Sequence, residues 1–182
     1  MKKLLGLLVL VFMLTSCEET ALEEYEQRTS QVLVKNTQEL IEPEEIGIQV
    51  FEILKNITTS SKKEFYGNYI SIESLHEMCK NKGLLTDNRA REVFSEMTSK
   101  EWEEHLEKDY INIKRTGGTN GIKWKDIEYL DYVYRLDKKL GITEVYGEMF
   151  FQFKNENYSI ISRSLFYQNK YQINRIYPPK KH

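Results

Sequence analysis

The chain holds few residues whose types and spacing could do chemistry. His76 and Cys79 stand three apart, the right types for metal ligands on one helical face. Two ligands do not close a tetrahedral zinc site, and the sequence supplies no second pair, so no metal is expected. Cys79 with His76 also has the composition of an activated thiol. The neighbouring Glu77 works against a thiolate, so Cys79 is expected to be a small buried apolar residue. His105 has Glu101 four residues before it and Asp109 four after it, within reach on a helix. A histidine–carboxylate pair can move protons, but this one is expected to decorate a solvated helix face. Ser159, Ser162 and Ser164 lie in a β-like stretch without the strained elbow of a serine nucleophile. The glycine-rich "GGTNG" at 117–121 leaves a helix, whereas phosphate-cradling loops lead into one. No catalytic residue and no cofactor are expected, and the balance is against an enzyme.

Cys17 is a different case. Met1 is followed by Lys2 and Lys3, then by an apolar run over residues 4–14 interrupted only by Gly6. A basic start, an apolar middle and small residues at the end make a secretory signal. A helix of about 11 residues spans roughly 16 Å, against a hydrocarbon core of about 30 Å, too short to cross. The segment ends Leu14-Thr15-Ser16-Cys17. This resembles the lipobox of bacterial lipoproteins. The resemblance implies cleavage between Ser16 and Cys17, a diacylglyceryl group on the Cys17 thiol, and often an acyl chain on its new amine. Two or three chains would anchor the protein durably, where one is marginal. The expected location is a bacterial membrane, at the periplasmic face or at the cell surface of the outer membrane. The expected partner is the membrane itself, through lipidated Cys17.

Glu18, Glu19, Glu23, Glu24 and Glu26 follow at once. They begin an acidic tether over residues 17–42, ahead of a single domain over residues 43–182. Removal of residues 1–16 takes away two lysines and no acids, so the net charge falls from −2 to about −4. That balance offers no basic stripe, so no nucleic-acid partner is expected. Cys79 is the only cysteine after Cys17, which leaves no intramolecular disulfide if Cys17 is lipidated.

The elements that would carry these residues follow from periodicity. Behind Pro43, the residues Ile46, Val50, Ile53, Leu54 and Ile57 recur at helical spacing, with an end near "TTSSKK". "SIESLHEMCKNKG" reads as a second helix, capped by Ser71 and closed by a left-handed Gly83. A third helix starts near Asp87 or Asn88. A fourth starts at Thr98, which has capping-box spacing to Glu101, and ends at Gly117-Gly118. From residue 121 the period becomes two. "IKWKDIEYLDYVYRL" puts Leu130, Tyr132, Tyr134 and Leu136 on one face, and "TEVYGEMFFQF" does so with Val145, Met149, Phe151 and Phe153. Two more strands follow, with Pro178-Pro179 closing the last. Short turns between such strands predict an antiparallel meander with one face on the helices.

The fold class is therefore α+β, with N-terminal helices packed on a curved four-stranded antiparallel meander. This order, with the ending "LFYQNKYQINRI", resembles the cystatin-like cone of the nuclear-transport-factor-2-like superfamily over residues 43–177. The functional expectation is a lipid-anchored, non-enzymatic binding or interaction module, with an immunity-type protein as one subclass. Its partner would be another protein or a small ligand. The alternative is a small cone-fold enzyme, isomerase- or hydrolase-like, with an aromatic pocket. Alternation sends Tyr129 to solvent if Tyr132 and Tyr134 face the helices. Tyr146 and Phe150 would join it there, so the candidate binding residues are Tyr129, Tyr146 and Phe150.

Overall fold

The computed structural model describes residues 40, 42–138 and 140–182. The lipobox, Cys17 and the tether up to residue 39 lie outside the described residues. Helix α1, Glu45–Asn56, forms where its apolar repeat predicts, and Ile46, Val50, Ile53 and Leu54 are all buried. A short helix α2, Lys62–Tyr66, follows, which periodicity alone did not indicate. Five residues are too few to show a period. Its signal is a capping box: Ser61 N–H donates to Glu64 Oε2 at 2.6 Å, and Glu64 N–H donates to Ser61 Oγ at 3.2 Å.

Helix α3, Ile72–Lys80, is capped by Ser71 as expected and buries Ile72, Leu75, Met78 and Cys79. It stops at Lys80, and Gly83 does not adopt a left-handed backbone. Helix α4, Asn88–Glu96, is capped by Asp87 and has no fully buried residue. Helix α5, Ser99–Thr119, has the Thr98–Glu101 capping box and buries Trp102, Leu106, Tyr110 and Ile113. It runs through Gly117-Gly118 instead of ending there. Gly117 is a packing glycine: a Cβ on it would enter the Trp124 indole. The left-handed position falls at Gly121, with φ +66°.

The sheet is antiparallel in the order β1-β2-β3-β4, so the meander is as expected at that level. The strands are β1 Glu128–Asp137, β2 Glu144–Phe153, β3 Glu156–Tyr167 and β4 Lys170–Ile176. Trp124–Asp126 is a 3₁₀ turn, so β1 starts later than the alternation suggested. The β2–β3 and β3–β4 turns have two residues each, Lys154-Asn155 and Gln168-Asn169, all with positive φ. Such primed turns match the twist of the flanking strands. Pro178-Pro179 ends β4 but not the sheet. Beyond the prolines, β5, Lys180–Lys181, pairs with Ser159 and Tyr158 at the far end of β3.

Two bulges interrupt the ladders, between Tyr129 and Asp131 and between Arg163 and Ser164. The core lies between α1 and one face of the sheet, where Val145, Met149, Phe151, Ile160 and Ile173 are almost wholly buried. Leu40 belongs to this core. It is buried, and Tyr171 N–H donates to its carbonyl at 2.6 Å. The packed fold thus begins ahead of Pro43.

Candidate functional site

The first bulge decides which aromatic side chains are available. Leu130 is the extra residue, so Tyr129 stays opposite the buried Phe151 while Asp131 pairs with Phe150. Tyr129 therefore faces the helices. It is half-buried and meets Phe51 of α1 edge to face, with ring centroids 5.6 Å apart. Its expected place on the solvent face is corrected. Alternation along one strand does not anticipate a bulge, because the partner strand sets it. Leu130, expected inside, is displaced by the bulge and exposed at 48%. Leu136 keeps the face of Tyr132 and Tyr134, opposite Val145, but is exposed at 53% near the strand's end.

Tyr146 and Phe150 do lie on the outer face, each half-buried. The Arg135 guanidinium sits 4.8 Å from the Tyr146 ring centroid. The His182 ring is 6.0 Å from Phe150, and its Nε2 lies 2.8 Å from Ser159 Oγ. Beside them Arg163 pairs with Glu144, with Nη2 to Oε1 at 2.6 Å. Of the exposed large apolar side chains, Leu130, Val133 and Leu136 all belong to β1. Among the described residues, no strand pairs with the outer edge of β1.

The residues singled out for chemistry are structural in placement. His76 Nε2 lies 2.9 Å from the Met97 carbonyl, which ties α3 to the end of α4. Cys79 is free and buried, and burial pushes its thiol up against a smaller opposing effect of Arg91. Glu77 accepts from the Tyr167 hydroxyl at 3.1 Å. Glu101 is occupied by its cap with Thr98. Among the described residues, no group of three or more His, Cys, Asp or Glu could hold a metal ion.

In the sequence Asp109 is marked only by its spacing to His105. The structure makes it the centre of a buried polar seam between α5 and β4. Ile176 N–H donates to Asp109 Oδ2 at 3.3 Å, and Arg175 Nε lies 3.6 Å from Oδ1. Burial raises its pKa to about 6, with Arg175 and the Ile176 N–H pulling the other way. The Tyr69 hydroxyl is buried nearby without a hydrogen bond, and burial and Asp109 hold its pKa well up. His105 is half-buried, and burial followed by Arg175 and Lys108 lowers its pKa. A second polar strip lies under α1. There Tyr132 Oη sits beside Ser162 Oγ, short of good hydrogen-bond geometry, with Ser164 on the same strand face. Burial pushes the Tyr132 phenol well up.

The chain matches no protein-family model, no curated protein and no solved structure. No helix among the described residues is long and apolar enough to cross a membrane.

Proposed function

We propose that the protein is a lipid-anchored bacterial envelope protein whose α+β domain binds another protein rather than turning over a substrate. Attachment through Cys17 rests on the lipobox at residues 14–17. The cystatin-like cone remains the reading of the fold's finer shape. Its support is the antiparallel meander, the two bulges that sharpen twist, and α1 lying on one sheet face.

The observation that carries the binding reading is β1 with its outer face. Val133 is exposed there, beside the Arg135–Tyr146 pair and Phe150, and Leu130 and Leu136 are also exposed on this strand. Exposed apolar side chains gathered on one strand, rimmed by charge, suit a protein partner. Asp109, a buried carboxylate, is engaged by Ile176 and Arg175.

Two measurements test the halves separately. Cells fed a radioactive fatty acid should label the parent protein and leave Cys17→Ala unlabelled; equal label ends the anchor reading. The tagged protein should capture a defined partner from envelope extract. Tyr146→Ser and Phe150→Ser should lose that partner at unchanged melting temperature, and full retention by both would end the binding reading.

A further inference from the structure

Among the described residues one edge of β1 is unpaired, and the sequence of that strand complements itself. Residues 130–136 read Leu-Asp-Tyr-Val-Tyr-Arg-Leu. About Val133 the series is a palindrome in apolar and aromatic type, and its one charged pair is of opposite sign. An antiparallel copy centred on Val133 sets Asp131 against Arg135 and Leu130 against Leu136, twice over.

The backbone phase of β1 permits that pairing. Phe166 N–H donates to the Thr143 carbonyl, so the Thr143 carbonyl points at β3. Successive residues alternate direction, so the Glu144 groups point at β1 and its partner Asp137 points back. Along β1, Asp137, Arg135 and Val133 therefore bond to β2, while Leu136, Tyr134 and Tyr132 direct their N–H and C=O groups to the open edge. The Tyr132 amide agrees with this phase: it donates to its neighbour's carboxylate, Asp131 Oδ1, at 2.8 Å. Asp131 thus covers one of the two edge amides, Tyr132 and Tyr134, that flank the centre of symmetry.

We propose that this protein forms a two-fold dimer by antiparallel pairing of β1 with β1 of a second copy, centred on Val133. Tyr132 and Tyr134 of each chain then exchange backbone hydrogen bonds with Tyr134 and Tyr132 of the other. Val133 meets Val133 as a non-hydrogen-bonded pair, in which side chains approach most closely. Asp131 releases the Tyr132 amide and turns to Arg135 of the second copy, on the outer face. The Arg135 guanidinium already lies on that face over Tyr146. A continuous sheet through both copies places the two outer faces side by side. The dimer requires neither the lipid anchor nor a foreign partner, so its test fails separately from theirs.

The test is disulfide trapping in the full chain, extracted in mild detergent and treated with a mild oxidant. A non-hydrogen-bonded pair places Cα atoms about 4.5 Å apart, inside the range of a disulfide. Val133→Cys should trap as a dimer on a non-reducing gel. Leu136→Cys is a register control of similar exposure, at 53% against 57%. The proposed register places its two copies six residues apart, and it should stay monomeric. Asp131→Arg in the Val133→Cys background should lower trapping at least several-fold, and adding Arg135→Asp should restore it. Equal trapping at 133 and 136, no trapping at either, trapping of Val133→Cys to a different protein, or failure of the charge reversal to restore it would each overturn the proposal.

Discussion

The Tyr132 ring passes over Gly147 on the neighbouring strand with no room between them for a methyl group. A Cβ on Gly147 would fall inside contact distance of Tyr132 Oη, Cζ and Cε2. The same ring closes against Gly47 of α1 on its other side. Tyr132 is therefore held between a helix and a strand by two residues that lack side chains.

Gly147→Ala should destabilise the fold by about 1–3 kcal/mol, the usual range for overpacking a filled core. Chemical denaturation measures it. The loss should shrink in a Tyr132→Leu background, because the ring is what the new methyl meets. An unchanged loss there would mean that the strand backbone, not the ring, sets the limit.

The Asp109 carboxyl should make stability depend on pH in mild acid. Its folded pKa, about 6, lies above the ordinary 3.8. Its contribution is then fully present below about pH 4 and is lost as pH rises through 6. Nearby Arg175, Lys108, His105 and Tyr69 are common to parent and variant, so Asp109→Asn isolates the effect. Relative to the parent, Asp109→Asn should gain on the order of 1 kcal/mol between pH 4.5 and 7.5. Denaturation at the two pH values checks this. A relative loss would show that the pairing with Arg175 outweighs burial.

Tyr129 should behave as a core residue and Val133 as a surface one. Tyr129→Ser removes the edge-to-face contact with Phe51 and half-buried ring area, a loss of about 1–3 kcal/mol. Val133→Ser, at 57% exposure, should change stability by about 0.5 kcal/mol or less. Thermal melts at low protein concentration compare the two. Equal effects would return Tyr129 to the solvent face.

Some of this molecule could be read from its sequence because the signals are local. The Thr98–Glu101 box, the Ser71 cap and the repeat from Ile46 to Leu54 each act within a few residues, and each stands as read. Alternation in residues 144–153 placed Val145, Met149, Phe151 and Phe153 correctly, since the extra residue of the β1–β2 ladder lies in β1 and the β2–β3 ladder is unbroken. The resemblance of Leu14-Thr15-Ser16-Cys17 to a lipobox likewise rests on adjacent residues alone.

The rest depends on partners distant in sequence. The bulge at Leu130 exists because β2 offers one residue, Phe150, where β1 spends two. It reversed Tyr129 and left Leu130 in solvent. Asp109 became a buried carboxyl because β4 returns to α5 sixty-seven residues later and supplies Ile176 N–H. Among the described residues β1 is an edge because the meander begins there, and strand order is a property of the whole sheet. Periodicity gives each strand its two faces, but which edge stays open depends on where every other strand lies.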